Sequence, residues 1–148
     1  MLREEVPTTV SKPVISWFAK EELKKLSLDS ALEIGLYAIE SINAHRHIAF
    51  EEEDAAIKRE VAEIHAAKKD YDKAAKILEK INLENAHRNV DADEKVQVYV
   101  KIAEYWFEDD GDAVNAEKYI NKAAHIMHHV CPHYGQQTQV FGCSSVLL

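Results

Sequence analysis

The strongest constraint on this chain is that it repeats itself. Phe50 to Ile81 runs as a long amphipathic segment, a tight break and a shorter alanine-rich amphipathic segment, and Asp91 to Met127 runs the same way. Ala74-Ala75-Lys76-Ile77-Leu78 aligns with Ala116-Glu117-Lys118-Tyr119-Ile120 at an offset of about 42 residues. A period in that range marks stacked helix pairs. A helix pair cannot bury its apolar face alone. It must stack on neighbours, and the stack offers a surface to other proteins rather than a pocket for chemistry.

Composition agrees with helices and narrows the partners. Only four Gly and three Pro interrupt 148 residues, and 47% of the residues are hydrophobic against 30% charged, as in a folded domain. The net charge of −8, with Lys interleaved among Glu, argues against nucleic acid, which needs clustered Lys and Arg. No apolar run approaches the roughly 18 residues that cross a membrane. The polar start MLREEVPTT lacks the apolar core of a signal peptide. Both cysteines, Cys131 and Cys143, lie near the end, so no disulfide scaffold is expected and a reducing compartment is the default.

Along the chain, residues 1–13 read as an extended segment broken by Pro7 and Pro13. A short helix is expected from Val14 to Lys25, burying Ile15, Phe18 and Leu26. A second, from Leu28 to Arg46, carries Leu28, Leu32, Gly35, Leu36, Ile39 and Ile42, and Ile34 and Tyr37 widen its stripe, so cover on more than one side is expected. A third starts near Glu51, with Glu51 to Asp54 suited to the positive end of the helix dipole and Ile57, Val61 and Ile64 facing inward. Asp70 is placed as the cap of a fourth helix that buries Tyr71, Ala74, Ala75, Leu78 and Ile81. Asp91 with Glu94 resembles a capping box. The fifth helix is expected to bury Val96, Tyr99, Ala103, Trp106 and Phe107, with Tyr105 off the stripe as a partner contact. Gly111 suits a left-handed turn, and Asp112 caps a sixth helix that buries Ala116, Tyr119, Ile120, Ala123, Ala124 and Met127. Trp17 fits either core or surface. Residues 131–148 contain no Lys, Arg, Asp or Glu and show no helical period. They read as a disordered tail. The fold class is therefore all-α: a right-handed α-solenoid of stacked helix hairpins, about six helices over residues 14–130, of the tetratricopeptide or HEAT kind.

Candidate chemistry is weak. His125, His128, His129, Cys131 and His133 cluster near the end, and His125 and His129 share a helix face, but no structural-zinc spacing or HExxH arrangement is present. His45-Arg46-His47 forms an HxH pair without the Ser and Asp a metalloprotease adds, since Ala55 and Lys58 stand there. Cys131 and Cys143 are not a CxxC pair and have no basic neighbour to activate them. The acidic runs Glu51 to Asp54 and Glu108 to Asp112 lack calcium-loop spacing, and helix capping explains them. No catalytic, cofactor or metal role is assigned to any residue, and no cofactor is expected.

The stretch from Asn89 to Ala123 is more specific. Val90-Asp91, Lys95, Tyr99 to Ala103, Glu108-Asp109-Asp110, Ala116-Glu117 and Tyr119-Ile120-Asn121, with Phe50-Glu51-Glu52, Ile57, Ala74-Ala75 and Leu83-Glu84 upstream, resemble the subunit 4 family of the COP9 signalosome. Val14-Ile15-Ser16 adds a weaker match. The resemblance implies an N-terminal helical-repeat piece of a non-catalytic scaffold, without the family's PCI domain. It implies support of cullin deneddylation, with the other signalosome subunits and cullin-RING ubiquitin ligases as partners, in cytoplasm and nucleus, and without nucleic acid or membrane. Alternatives are a helical-repeat adapter, a subunit of a related PCI complex such as the proteasome lid or translation initiation factor 3, and a small His-rich metal-binding enzyme.

Overall fold

The computed structural model describes residues 7–45, 49–84, 90–109 and 111–130. Six α-helices are present among them: α1 (Thr8–Trp17), α2 (Leu28–His45), α3 (Glu51–Ala67), α4 (Tyr71–Glu79), α5 (Ala92–Glu108) and α6 (Ala113–Val130), and no strand. From α2 onward each helix packs on the next in chain order, and the segment after α1 also reaches α3. The result is all-helical with successive helices packed together, consistent with a helical solenoid.

The helices begin earlier than the prolines imply. Thr8 to Pro13 are helical rather than extended, because Pro7 sits at the N-cap, where its missing N–H is no loss and its φ of −58° leads into the helix. Residues 1–6 and 131–148 lie outside the described residues, and with them the first part of the extended start and the whole of the tail reading. After Trp17 the backbone widens into a turn of π-helix, Phe18–Glu22, then tightens into a 3-10 turn, Leu23–Lys25. The extra residue of a π turn rotates everything after it. Ala19 and Leu23 are therefore buried, Ile15 and Phe18 pack at the edge of the core, and Leu26 turns outward. Trp17 is exposed.

Helix α2 rests on α3 through one face only. Ala31, Gly35 and Ile42 are buried, while Leu28, Ile34, Leu36 and Tyr37 face solvent, so no described element supplies the expected cover on a second side. Gly35 is there because the two helices meet closely: a Cβ on it would lie 2.4 Å from Val61 Cγ2. Helix α3 is the most enclosed element. Ile57 and Val61 are buried as expected, and Glu53, Asp54, Lys58 and His65 are buried with them. In α4, Ala74 and Ala75 are fully buried, which lets neighbouring backbones approach.

The repeat has a finer structure than one period. Helices α3 and α5 both span 17 residues and begin 41 positions apart. Asp70 and Asp112, which precede α4 and α6, stand 42 apart. The extra residue lies in the second turn, and the two turns close differently. In the first, Lys69 takes φ +64° and the Asp70 N–H donates to the His65 carbonyl at 2.9 Å. Asp70 makes no side-chain cap, since its carboxylate turns to Lys73 at 3.4 Å. In the second, Gly111 takes φ +71°, and the Asn115 N–H donates to Asp112 Oδ1 at 3.1 Å as a true N-cap. That bond, with the Asn115 side chain, holds the Asp112 carboxyl below the usual carboxylate range. The capping box at the start of α5 does not form. Asp91 accepts from the Ala92 N–H at 2.9 Å, and Glu94 reaches Arg59 instead.

Candidate interaction surface

What this stack offers chemically is the way one helix docks on the hairpin before it. Helix α5 sits on α3 and α4 through three kinds of contact. Arg59 of α3 pairs with Glu94, and Lys101 lies 3.7 Å from Glu63 of α3 and 3.4 Å from Glu104 of its own helix. The Tyr105 ring stacks at a tilt on Tyr71, centroids 6.3 Å apart, with the Lys101 ammonium 5.2 Å from the Tyr105 ring centre. Trp106 Nε1 donates to Glu79 at 2.9 Å, and Lys76 approaches the same indole at 6.0 Å. Beyond these, Tyr99 donates to Glu84 at 3.4 Å and stacks on Tyr119 of α6 at 6.0 Å.

These contacts correct two aromatic assignments. Tyr105 is buried, not a free partner contact, because α5 has a second covered side turned toward Tyr71. Burial first, then the Glu63 carboxylate beside it, push its phenol well above the ordinary tyrosine range. Burial also raises Tyr119 to about 12, with Glu79 adding to it, and raises Tyr99 with help from Glu84. Phe107, placed in the core by periodicity, is exposed, and so are Ile120 and Met127 of α6. Trp106, Tyr99, Ala103, Ala116, Tyr119 and Ala123 are buried as expected.

The polar groups inside α3 carried a signal that periodicity passes over. Asp54 and Lys58, four apart, form a buried ion pair, and the Lys58 ammonium also donates to the Lys80 carbonyl at the end of α4 at 3.1 Å. The acidic start of α3 is thus only partly a solvated helix end. Glu53 and Asp54 are turned inward. His65 is buried at the other end, its Nδ1 3.7 Å from Asp70 Oδ2. Burial holds this imidazole below its ordinary range against the pull of Asp70.

The candidate metal and redox residues are described only in part. His125 and His128 lie exposed on α6, His129 belongs to the same helix, and Cys131, His133 and Cys143 fall outside the described residues. His45 ends α2, His47 is not described, Ala55 is buried, and Lys58 is held by Asp54. Among the described residues no group of three or more His, Cys, Asp or Glu is placed to hold a metal ion, and no helix is long and apolar enough to cross a membrane. Two surface grooves flank α5. One, of about 210 Å³, runs between Arg59, Glu63, Leu78, Gln97, Val98 and Lys101. The other, of about 230 Å³, lies among Glu79, Glu84, Tyr99, Tyr119 and Lys122. Arg59, Glu63, Lys101, Glu79 and Glu84 are the ion-paired and hydrogen-bonded groups just described, and the Lys122 ammonium lies over the Tyr99 and Tyr119 rings.

A stack of this kind, with its polar groups spent on helix–helix contacts, belongs to the class of helical-repeat interaction domains. The family described as PSMD12/CSN4, N-terminal, matches residues 8–134, and the chain belongs to that family. It is 35% identical over 127 residues to COP9 signalosome complex subunit 4 of Arabidopsis thaliana, covering 86% of this chain and 31% of the relative. Subunit 4 of Dictyostelium discoideum is 30% identical over 125 residues, 84% of this chain and 31% of that one. Subunit 4 of Drosophila melanogaster is 32% identical over 124 residues, 84% of this chain and 30% of that one. The chain thus spans just under a third of the length of these relatives.

Proposed function

We propose that the chain serves as a non-catalytic helical scaffold segment of the COP9 signalosome. In this reading it supports the removal of a ubiquitin-like modifier from cullins through contacts with the other signalosome subunits and with cullin-RING ubiquitin ligases, in cytoplasm and nucleus. The observation that carries the reading is the match to one family across residues 8–134, with relatives named as subunit 4 in plant, amoeba and fly. The helical fold fits it, with Lys68–Asp29, Arg59–Glu94 and Lys101–Glu63 pairs joining different helices. Nucleic acid and membrane play no part in this role.

The test is affinity purification of the tagged chain from cells of the source organism, with identification of the subunits recovered. Stoichiometric recovery of signalosome subunits is the expected outcome. Recovery of proteasome-lid subunits in their place, or of neither set, overturns the assignment.

A further inference from the structure

Two carboxylates beside α5 are met only by neutral donors. Glu79 ends α4, and Glu84 closes the short segment that follows it. Glu79 accepts from Trp106 Nε1 at 2.9 Å, and Glu84 accepts from the Tyr99 hydroxyl at 3.4 Å. Neither forms an ion pair with a described residue, whereas Asp54, Glu63 and Glu94 in the neighbouring contacts all do. An ionised carboxylate offers about four acceptor directions. Most of the capacity of this pair is therefore unused.

Both carboxylates border the groove of about 230 Å³, whose walls come from α4, residues 81–84, α5 and α6. All four of these walls are described, so the groove lies within the stack and not at an end of it. It is smaller than the roughly 300–1,000 Å³ of pockets that hold a whole small molecule. A single side-chain head group matches it better.

The aromatic wall shows which charge it accepts. The Tyr99 and Tyr119 ring centres lie 6.0 Å apart, and the Lys122 ammonium stands 5.4 Å from the first and 5.1 Å from the second. Lys118 approaches the Tyr119 ring as well, at 5.1 Å. Ring faces attract cations in this way. Lys122 is exposed on α6 and takes no hydrogen bond from the glutamates, so it holds the rings and leaves the carboxylates open. A planar guanidinium can engage both at once. Its forked N–H groups suit carboxylates, and its flat face stacks on an aromatic ring, which a compact, strongly hydrated ammonium does less well.

We propose that this groove binds an arginine side chain of a partner protein. The guanidinium donates to Glu79 and Glu84 and lies against the Tyr99 and Tyr119 pair, and Lys122 swings out to admit it. The proposal rests on the geometry of α4 to α6 and not on the signalosome reading, so failed co-purification leaves it standing.

The chain's two tryptophans serve as reporters. Trp106 donates to Glu79, while Trp17 is exposed on α1. The full chain, labelled with nitrogen-15, is titrated with a blocked Gly-Arg-Gly peptide and followed by NMR. The matching citrulline peptide keeps the shape without the charge, and a lysine peptide keeps the charge without the fork. The Trp106 indole resonance is expected to move saturably with the arginine peptide, at a Kd of about 1–10 mM, while Trp17 stays still. The lysine peptide is expected to bind at least about threefold more weakly, and the citrulline peptide not to bind. Glu84→Gln, at an exposed position, weakens the arginine peptide about tenfold. Lys122→Met removes the competing ammonium and strengthens it about threefold. A citrulline or lysine peptide that binds as well as the arginine one overturns the proposal. So does movement of both indoles together, as an acidic surface gathering basic peptides would give, or no saturable movement below about 50 mM. Unchanged binding in Glu84→Gln, or binding not strengthened in Lys122→Met, overturns it as well.

Discussion

The α3–α4 and α5–α6 hairpins are built on one pattern and differ in what surrounds them. The first is enclosed between α2 and α5, and its core admits an ion pair and a histidine. Among the described residues the second is covered on one side only. Its interior joins the aromatics Tyr99, Tyr105, Trp106 and Tyr119 to Val98, Ile102, Ala103, Ala116 and Ala123, while Val100, Phe107, Ile120 and Met127 are exposed. Position in the stack, more than local sequence, decides which apolar side chain is buried. The enclosed hairpin satisfies its buried polar groups only in part: Lys58 finds Asp54 and the Lys80 carbonyl, whereas Glu53 Oε2, Asp54 Oδ1 and His65 Nδ1 have no hydrogen-bond partner among the described residues. The second keeps apolar groups that no described element covers.

The largest effect that bears on this contrast lies in the enclosed hairpin. Lys58→Met leaves Asp54 as an unpaired buried charge and frees the Lys80 carbonyl. The expected loss is about 3–5 kcal/mol, measured by urea unfolding, whereas the double replacement Asp54→Leu with Lys58→Met recovers most of it. If Lys58→Met unfolds no more easily than the parent, the pair does not stabilise α3 and the contrast weakens.

Next come the corresponding leucine and isoleucine. Leu78→Ala opens a cavity between α4 and α5 and is expected to cost about 2–5 kcal/mol. Ile120→Ala, at the matching place in the second hairpin, is expected to change stability by no more than about 0.5 kcal/mol. Equal losses would show that Ile120 is covered in solution.

His65 sharpens the comparison through pH. Its folded pKa is lowered by burial, with Lys73 and Lys68 lowering it further and Asp70 opposing. The unfolded chain therefore binds the proton more readily. The stability linked to the neutral imidazole is complete above the unfolded pKa of about 6.5 and is lost as pH falls through the lower folded value. Thermal unfolding from pH 7.5 to pH 5 is expected to fall more steeply for the parent than for His65→Gln. Parallel curves would mean that Asp70 compensates fully.

Much of this was legible because apolar spacing reports helices directly. The six helices, the Ala74-Ala75 crossing, the Gly111 turn and the Asp112 cap all follow from residue type and spacing. What spacing does not report is which side of a helix meets a neighbour. Tyr105 sits one step off the main stripe and is buried because α4 supplies Tyr71. Phe107 sits one step off on the other side and is exposed because nothing described lies there. The Asp54–Lys58 pair did have a signal, opposite charges four apart, but a solvated pair has the same one. The π turn after Trp17 has no marker in the sequence, and it displaced Leu26. The interaction surface was legible only as a class, since a groove between helices is a property of the stack.

The smallest effect concerns the two turns. Lys69 holds a left-handed backbone that a side chain disfavours by about 1–2 kcal/mol, while its counterpart turn uses Gly111 for that conformation. Lys69→Gly relieves the strain, and the greater freedom of glycine in the unfolded chain takes back about 0.4–1 kcal/mol. A net gain of about 0.5–1 kcal/mol in urea unfolding is expected, with the circular dichroism of the folded state unchanged. The reverse change, Gly111→Lys, is expected to lose a similar amount, because no heavy atom lies within 4 Å of a Cβ placed there and backbone strain is the only cost. If Lys69→Gly destabilises, the lysine earns its place through contacts of its own, and the two turns are not equivalent solutions to one geometry.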